Sequence, residues 1–492
     1  MNMDKPLRRV AIFGLLLFFG LMAQINYVQG SQAEALRTDD KNARQYADVF
    51  NNPRGQIIAG GQVLVTSKPT GKDNPKYGRE YTQGPIFSPA TGFFNGGASK
   101  VEMAYNSLLG GKDKRITQQR WFDTFIGKPA EGANVELTII PEAQRVAYNR
   151  LKNSTTRRAG AAVIDIKTGA IVVLASYPSF DPNEVAPQTG LKGGRRLEQL
   201  ENNPGVIKPL IDNAMSQTFP PGSSFKTVTA ALAMEQMGLS ASSTVPTGQL
   251  ILPESGRPLP NSHDTGNCAG SAPLRGAYAE SCNTTFGKLA LDMGIQRLNQ
   301  GASKFGFNRD VEIEPDLFAA QSDVPVSIRN PETGETIPTG KDGTARSGIG
   351  QENVRATPLQ MAMVASAVAN GGTIMKPYLV ERVRAKDQSE LYKVDPKEYS
   401  TPIKEDTAEQ LQDMMRAVVS EGTGRNLQGF NIAGKTGTAE QDGPNPNSRW
   451  FVGFAPSDEP RYAFAVVTEG EGDGGPNAGP VAGAIMNAVL RK

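Results

Sequence analysis

The sequence is short of the residues that build metal and histidine chemistry. Its 492 residues include one histidine, His263, and two cysteines, Cys268 and Cys282. A zinc site built by the protein usually takes three or four histidine, cysteine or carboxylate ligands, so this inventory almost excludes one and we expect no metal site. It also leaves His263 as the one histidine available as the base of a Ser-His-Asp mechanism.

An excess of charge of either sign is also missing. The chain has 52 lysines and arginines against 50 aspartates and glutamates, and its formal net charge is +2. No basic block interrupts this balance, and we therefore expect no nucleic-acid partner. The length of the chain predicts two or three domains with ample residues for a sizeable core.

One apolar run with a basic flank stands at the N-terminus. Lys5, Arg8 and Arg9 precede it, and it extends over residues 10–28 with two uncharged polar interruptions. A membrane-spanning helix needs roughly 17–25 residues, which this run provides. No convincing cleavage site follows, so we expect an uncleaved signal-anchor, with a removed signal peptide as the alternative. The basic flank predicts a cytoplasmic tail at 1–9 and an extracytoplasmic location for the rest.

Residues 51–159 are rich in glycine, asparagine and proline. Strand-like runs occur at 62–67 and 135–140, and the segment 100–111 has the spacing of a helix that ends at glycines. These patterns predict a mainly β region with a helix between its strands.

From residue 160 the patterns become those of regular α/β structure. Residues 160–183 predict two strands joined by a Lys-Thr-Gly turn, and 357–372 predict a capped, buried helix. Residues 450–457 and 461–470 predict adjacent antiparallel strands, and 481–492 a packing helix. This order of elements predicts an α/β or α+β domain, with an antiparallel sheet flanked by helices.

Three short motifs follow one another in this second part. They are Ser-x-x-Lys, Ser-x-Asn and Lys-Thr-Gly, at 223–226, 281–283 and 435–437. Each alone is a weak signal, and a serine at the start of a helix is often only an N-cap. In this order, however, the three make the pattern of serine enzymes that bind penicillin. A second Lys-Thr-Gly at 167–169 precedes the serine, and we interpret it as a structural turn.

Helix geometry selects the nucleophile. Lys226 lies about 60° around a helix from Ser223 but about 160° from Ser224, so Ser223 shares its face. The free N–H groups of a helix N-terminus favour the developing alkoxide. Lys226 must be neutral to act as a base, and lowering its pKa from about 10.4 to near 7 takes on the order of 4–5 kcal/mol. Burial beside a second cation would provide this, and Lys435 is the candidate.

Longer segments around the motifs resemble the class B penicillin-binding proteins, in their actinobacterial, PbpA-like branch. The likeness covers residues 160–492 and includes PPGSSFK at 220–226, GIGQENVRATPLQMA at 348–362 and AGKTGTAEQ at 433–441. It implies a penicillin-binding serine transpeptidase domain of the β-lactamase-like fold over this range.

The preceding part resembles the non-catalytic pedestal of the same family. NPRGQI at 52–57 and VEMAYNSLLGG at 101–111 carry this likeness, although Ile-Ala-Gly-Gly at 58–61 stands where the family usually has Asp-Arg-Asn-Gly. The resemblance therefore implies a pedestal domain at 31–159 between the membrane anchor and the catalytic domain.

The resemblance also implies a role for each matching residue. Ser223 attacks the D-Ala-D-Ala carbonyl to form an acyl-enzyme, Lys226 is the acylation base, and Ser281 relays a proton to the leaving nitrogen. Asn283 holds the substrate amide, and the backbone N–H groups of Ser223 and Thr438 form the oxyanion hole. An amino group of a neighbouring stem peptide then attacks the ester and completes a cross-link. The substrate-binding residues of the third motif, which take the carboxylate, are Lys435, Thr436, Gly437 and Thr438.

The partners implied by the family are peptidoglycan stem peptides, β-lactam antibiotics, the membrane, a SEDS-type glycan polymerase and other cell wall synthesis proteins. No cofactor is implied. Nothing resembling a glycosyltransferase domain precedes the pedestal, so we expect this chain not to polymerise glycan itself.

Three other functions share the motifs. A class A β-lactamase needs a Glu-x-x-Leu-Asn segment between the second and third motifs, and none is found there, since Glu198-Gln199-Leu200 lies before the nucleophile. A D,D-carboxypeptidase would release D-Ala to water, and this alternative stays open. A non-catalytic β-lactam sensor would need an output domain, for which a cytoplasmic tail of about nine residues is too short.

The two cysteines are expected to form a disulfide. The predicted compartment is oxidising, and Cys268 and Cys282 both lie near the Ser-x-Asn motif. Such a bond would tether Ser281 and Asn283. Two buried free thiols are the alternative.

Overall fold

The structure is a computed structural model. It describes residues 4–32, 50–119, 131–330, 333–440 and 446–491. Residues 1–3 of the predicted cytoplasmic tail, and residues 33–49 and 120–130 of the predicted pedestal, lie outside these ranges.

The two longest strands among the described residues lie near the end of the chain. In chain order they are β1 Ile57–Ala59, β2 Gln62–Pro69, β3 Tyr77–Tyr81, β4 Asn134–Leu137, β5 Ala159–Asp165, β6 Ile171–Tyr177, β7 Thr244–Pro246, β8 Leu250–Ile251, β9 Pro258–Leu259, β10 Ser271–Pro273, β11 Val311–Glu314, β12 Leu317–Ala319, β13 Ser327–Arg329, β14 Thr336–Pro338, β15 Ile374–Met375, β16 Val380–Arg384, β17 Glu390–Lys393, β18 Glu398–Ser400, β19 Ala433–Ala439, β20 Asn447–Ala455 and β21 Tyr462–Gly470.

The α-helices lie mostly between β6 and β19, where the chain makes its long crossover. In chain order they are α1 Asp4–Ser31, α2 Gly84–Thr91, α3 Lys100–Ala104, α4 Asn106–Leu109, α5 Lys114–Gln119, α6 Pro141–Ser154, α7 Leu191–Glu201, α8 Lys226–Met237, α9 Leu274–Ala279, α10 Asn283–Met293, α11 Ile295–Lys304, α12 Lys341–Ser347, α13 Pro358–Ala369, α14 Glu405–Ser420 and α15 Gly474–Leu490.

The first helix contains the apolar run of the N-terminus. Its segment Leu7–Val28 is long and apolar enough to cross a membrane and is not buried against the rest of the chain. A helix with apolar residues on every side is stable in lipid rather than in water. The helix therefore has the length and composition of a membrane anchor.

A six-stranded sheet forms the core of the first part, in the order β17-β16-β4-β1-β2-β3. The pair β1–β4 is parallel and the other pairs are antiparallel. Two of its strands, β16 and β17, come from the second part of the sequence. Beside this sheet the carboxylate of Glu102 is fully buried and receives Nε of Arg79 at 2.6 Å and Nη2 of Arg54 at 2.8 Å. Two guanidinium groups thus compensate one buried carboxylate.

A five-stranded antiparallel sheet organises the second part, in the order β19-β20-β21-β5-β6. Along β5, Ala162 and Ile164 pack into one hydrophobic core while Ala161 and Val163 pack into another, as the two-residue period of a strand requires. The wholly buried α13 covers the first face, and α6 and α15 cover the second. The predicted fold, an antiparallel sheet flanked by helices, is confirmed.

Several local predictions hold in detail. Strands β5 and β6 form the predicted hairpin, and β20 and β21 pair antiparallel. The Thr357 hydroxyl accepts a hydrogen bond from the Gln360 N–H at 3.0 Å, which caps α13 as expected. The Lys-Thr-Gly at 167–169 is the turn between β5 and β6.

Other predictions need correction. The helix expected over 100–111 is interrupted at Tyr105, whose hydroxyl donates to Glu314 Oε2 at 2.6 Å, and two short helices result. The terminal helix begins at Gly474, earlier than expected, because its glycines allow close contact with the sheet. A Cβ on Gly474 would lie 2.3 Å from the carbonyl oxygens of Gly437 and Trp450.

Candidate active site

The nucleophile motif lies where the chain turns into α8. Gly222–Phe225 form a 3-10 turn, and the α-helix begins at Lys226, three residues later than the helix start expected at Ser223. Residues three apart lie on the same face of a 3-10 turn or an α-helix, so Ser223 and Lys226 share a face. Ser223 is half-buried, whereas Ser224 is buried and donates to the carbonyl of Pro221 at 2.7 Å. Within the described part of the chain, the Ser223 hydroxyl makes no hydrogen bond.

Gly222 allows this turn to approach the third motif. Its φ is +53°, and a Cβ on it would lie 2.5 Å from the carbonyl oxygen of Thr438. On the strand side, a Cβ on Gly437 would lie 3.0 Å from the backbone nitrogen of Ser224. Two glycines therefore let the edge strand β19 contact the nucleophile turn. The indole N–H of Trp450 fixes the turn from the next strand by donating to the Pro220 carbonyl at 2.9 Å.

Lys226 joins the first motif to the second. Its Nζ is buried and lies 2.6 Å from the Ser281 carbonyl oxygen, 3.1 Å from Ser281 Oγ and 2.7 Å from Asn283 Oδ1. Burial, and then the positive charge of Lys435, lower the pKa of Lys226 well below its usual value. Both causes are those expected from the sequence.

The second motif is held in an unusual backbone conformation. Ser281 has a φ of +66°, which is uncommon for a residue with a side chain and occurs mostly at sites where the surroundings enforce it. The N–H groups on either side of this bend donate to the preceding helix, that of Ser281 to Tyr278 and that of Cys282 to Ala277. Cys282 also forms a disulfide with Cys268, as expected for an oxidising compartment.

Lys435 lies on β19 with its side chain buried. Its Nζ donates to the Thr436 carbonyl at 3.2 Å and lies 5.6 Å from the centre of the Tyr278 ring. Burial lowers the pKa of Lys435 to about 7. The Tyr278 hydroxyl is hydrogen-bonded to Thr227, the residue after Lys226, at 2.8 Å. Tyr278 therefore connects the environments of the two lysines.

The threonines of the third motif contact the loop that follows α14 and the residue that precedes α15. The hydroxyls of Thr436 and Thr423 are 2.6 Å apart, and Thr438 Oγ1 donates to Asp473 Oδ1 at 3.1 Å. Asn283 has both ends of its amide engaged, since its Nδ2 donates to the Pro260 carbonyl at 2.8 Å. The structure thus brings the three predicted motifs together around one cleft.

Comparison with known proteins agrees with this geometry. The family model described as the penicillin binding protein transpeptidase domain matches residues 159–489. The chain belongs to the penicillin-binding transpeptidases. A second model, the penicillin binding protein A dimerisation domain, matches residues 54–135.

Among curated relatives of this penicillin-binding family, peptidoglycan D,D-transpeptidase PbpA of Mycolicibacterium smegmatis is 34% identical over 513 aligned residues, covering 100% of both chains. The PbpA of Mycobacterium tuberculosis strain H37Rv is 32% identical and covers 99% of both. The solved imipenem acyl-enzyme complex of penicillin-binding protein A from M. tuberculosis has 30% sequence identity. It superimposes with a TM-score of 0.80 and covers 90% of this chain and 100% of that one. The penicillin G acyl-enzyme complex gives 0.79. The predicted family is confirmed.

His263 takes no part in this cleft in the contacts that the structure records. It is exposed, and its Nδ1 lies 3.3 Å from the Thr265 hydroxyl. Its ring also approaches Cys268 and Glu280, with ligand atoms within 4.8 Å of one another. Because the Cys268 sulfur is bonded to Cys282, it is not available as a thiolate ligand.

Three contacts of the site had no signal in the sequence. Tyr278, Thr423 and Asp473 belong to none of the motifs, and the chain brings them to the lysines and threonines through long-range folding. Of these three residues, Tyr278 lies closest in sequence to a motif, three residues before Ser281.

Proposed function

We propose that this chain is a peptidoglycan D,D-transpeptidase that cross-links stem peptides through an acyl-enzyme on Ser223. The observation that carries the proposal is the state of Lys226. It is buried three residues after Ser223, its pKa is strongly lowered, and it contacts both polar side chains of the second motif. A neutral amine in this position is the base that an unassisted serine hydroxyl lacks.

In acylation, Lys226 takes the hydroxyl proton of Ser223 while Ser223 Oγ attacks the carbonyl between the two D-alanines. A neutral amine has two N–H donors and one lone pair, which suits two carbonyl-type acceptors, Ser281 O and Asn283 Oδ1, and one hydroxyl. The Ser281 hydroxyl, 3.1 Å from Nζ, passes a proton to the leaving nitrogen and is reprotonated by Lys226. The C–N bond breaks and D-alanine leaves.

Deacylation uses the same groups in reverse. The amine of a second stem peptide attacks the ester, loses a proton through Ser281 and Lys226, and forms the new amide while Ser223 Oγ regains its proton. The oxyanion formed in both steps is assigned to the backbone N–H groups of Ser223 and Thr438. Gly222 lets the nucleophile turn pack closely against the backbone of Thr438.

The substrate carboxylate is assigned to Lys435, Thr436 and Thr438 on the edge strand. Lys435 is fully buried, so its charge lies in surroundings of low dielectric constant. Its attraction for the substrate carboxylate is therefore stronger than it would be in water. Gly437 leaves the strand flat against the nucleophile turn, and a substrate backbone adds to the outer edge of β19.

The rest of the chain is assigned from its sequence and position. Residues 10–28 anchor the protein with residues 1–9 in the cytoplasm, 31–159 form a pedestal and 160–492 the transpeptidase domain outside the membrane. A SEDS-type polymerase in the membrane supplies glycan strands. The length and composition of Leu7–Val28 and its basic flank support the anchor and its orientation.

Turnover of a peptide tests this function. The full chain, solubilised in detergent, is incubated with a D-Ala-D-Ala pentapeptide and a tetrapeptide that carries a free side-chain amine. The products are separated, and their masses are measured by mass spectrometry. We expect D-alanine and a cross-linked dimer. Released D-alanine with a hydrolysed peptide and no dimer would assign a D,D-carboxypeptidase instead. Acylation by penicillin without turnover of the peptides would favour a sensor.

A further inference from the structure

The buried ammonium of Lys435 has few polar partners. Lys435 is fully buried, and among the described residues its Nζ makes one hydrogen bond, to the Thr436 carbonyl at 3.2 Å. An ammonium group has three N–H donors, so most of its capacity is left to other kinds of contact. A buried cation is costly to the folded state unless its surroundings compensate the charge.

The face of the Tyr278 ring supplies such a contact. The Nζ atom of Lys435 lies over this ring, 5.6 Å from its centre. The face of an aromatic ring is negative and attracts a cation within about 6 Å, more strongly where both are shielded from water. Tyr278 is also fully buried, and burial raises the pKa of its hydroxyl above the usual value, so the ring is a neutral phenol. The attraction therefore comes from the ring face rather than from a phenolate.

Three contacts hold this ring beside Lys435. The Tyr278 hydroxyl is hydrogen-bonded to Thr227 at 2.8 Å, and its ring meets that of Phe286 edge to face, with the ring centres 6.1 Å apart. Its backbone carbonyl accepts the N–H of Ser281, the serine of the second motif. The ring is thus fixed by the helix that carries Lys226 and by the turn that carries the second motif.

The charged groups around β19 offer Lys435 no counter-charge in the contacts that the structure describes. Lys226 is coupled to it, and the coupling is repulsive, since the charge of Lys435 lowers the pKa of Lys226. Other charged side chains on the neighbouring elements have partners of their own: Arg416 and Arg449 donate to backbone carbonyls, Arg275 pairs with Asp413 and Glu421, and Asp473 accepts from Thr438. The ring of Tyr278 is therefore the contact that compensates this charge.

We propose that Tyr278 is a positioning residue, which holds the Lys435 side chain in place and in its charged form so that the edge strand can bind the substrate carboxylate. This inference rests on the proposed function and adds to it a residue outside the three motifs. Tyr278 acts through Lys435 and need not touch the substrate.

The pH dependence of acylation carries the signature of this role. Burial lowers the pKa of Lys435 to about 7, and the ring opposes this because it favours the charged form. Acylation should decline as Lys435 loses its proton, and without the ring this falling limb moves to lower pH. A desolvated cation–π contact corresponds to roughly one pH unit. Acylation without the ring should then drop about fivefold at pH 7 but less than about twofold at pH 5.5.

Two replacements of nearly equal shape test the proposal. In Tyr278→Phe the ring face stays negative, whereas pentafluorophenylalanine at the same position reverses the charge of the face. The second-order rate constant of acylation by benzylpenicillin is measured from about pH 5 to about pH 9 with the full chain in detergent. We expect the falling limb of Tyr278→Phe within about 0.3 pH unit of the wild type, and that of the pentafluoro variant lower by about one unit or more. Tyr278→Leu, which has no ring, should also move the limb to lower pH.

Phe286→Leu is the matched control. Phe286 is a fully buried ring beside the other lysine, with its centre 5.6 Å from Lys226 Nζ. This variant removes a ring of similar size from the same cluster. It should move the rising limb, which belongs to Lys226, to lower pH while the falling limb stays within about 0.3 unit. Thermal unfolding of each variant establishes that it folds.

The outcomes separate this inference from the proposed function. If benzylpenicillin does not acylate the wild-type protein, the proposed function fails. If it does, but the pentafluoro variant keeps the falling limb in place, or Phe286→Leu moves that limb as far, Tyr278 has only a packing role and the inference is overturned.

Discussion

Replacing Lys435 by methionine should stabilise the protein while it removes activity. Burial lowers the pKa of Lys435 from 10.5 to about 7, a difference of roughly 3.5 units. At about 1.4 kcal/mol for each unit, and with half of the lysine protonated at pH 7, the folded state loses about 4 kcal/mol relative to an unperturbed lysine. Methionine has a similar length and no charge to desolvate. Allowing for the lost contact with Thr436, we expect a gain of roughly 2–4 kcal/mol.

The gain should appear as a higher melting temperature. Unfolding entropy scales with chain length, so for the domain at 159–489 a gain of this size raises Tm by roughly 3–6 °C. The folded pKa lies below the unfolded one, so between pH 7 and 10.5 the unfolded state binds more protons and the wild type becomes more stable as pH rises. The advantage of Lys435→Met should therefore fall by about 2 kcal/mol between pH 7 and pH 9.

The assay is thermal unfolding of the detergent-solubilised chain at both pH values, with penicillin acylation measured in parallel. Acylation of Lys435→Met should fall at least about 100-fold, because a buried charge that binds the substrate carboxylate is lost. Lys152→Met, at an exposed position near the end of α6, should change Tm by less than about 1 °C. A lower Tm for Lys435→Met, or an advantage that does not shrink at pH 9, would refute the reasoning.

Three further predictions concern the same cleft. Gly222→Ala should slow acylation about 100-fold, because the added Cβ displaces Thr438. Gly238→Ala, at the open end of α8, should leave acylation unchanged. Equal rates for both variants would argue against the contact between Gly222 and Thr438. The Cys268–Cys282 disulfide closes a loop of about 15 residues, so its reduction should lower the free energy of unfolding by about 3 kcal/mol in thermal unfolding. Two titratable thiols in the protein before reduction would contradict the presence of this disulfide. The acylation rate of free enzyme should be bell-shaped in pH, rising as Lys226 loses its proton and falling near pH 7 as Lys435 does. Lys435→Arg should abolish the falling limb, and a limb that persists would assign it to another group.

The site was predictable as far as its chemistry is local in sequence. Ser223 and Lys226 are three residues apart, and any helical turn, α or 3-10, places them on one face. The motif order then indicated that Ser281, Asn283 and Lys435 would meet them, and the structure brings all five together. Their individual roles stay predictions until variants are measured.

What failed depends on contacts between distant parts of the chain. The start of α15 was not predicted because its first residues include glycines and prolines, which have low helix propensity. The close packing of this helix against β19 and β20 explains why glycine stands there. Tyr105, where the helix is interrupted, is hydrogen-bonded to the distant Glu314. The placement of β16 in the first sheet depends on its pairing with β4, and that of β17 on its pairing with β16. Periodicity within one segment carries no information on its partners.

The most direct test of the account is the position of the penicillin adduct. The full chain is labelled with benzylpenicillin, digested, and the modified peptide sequenced by mass spectrometry, with Lys226→Ala treated in parallel. The account predicts one adduct, on Ser223, that outlasts the digestion, and none on folded Lys226→Ala. An adduct on Ser224, or normal labelling of Lys226→Ala, would contradict it.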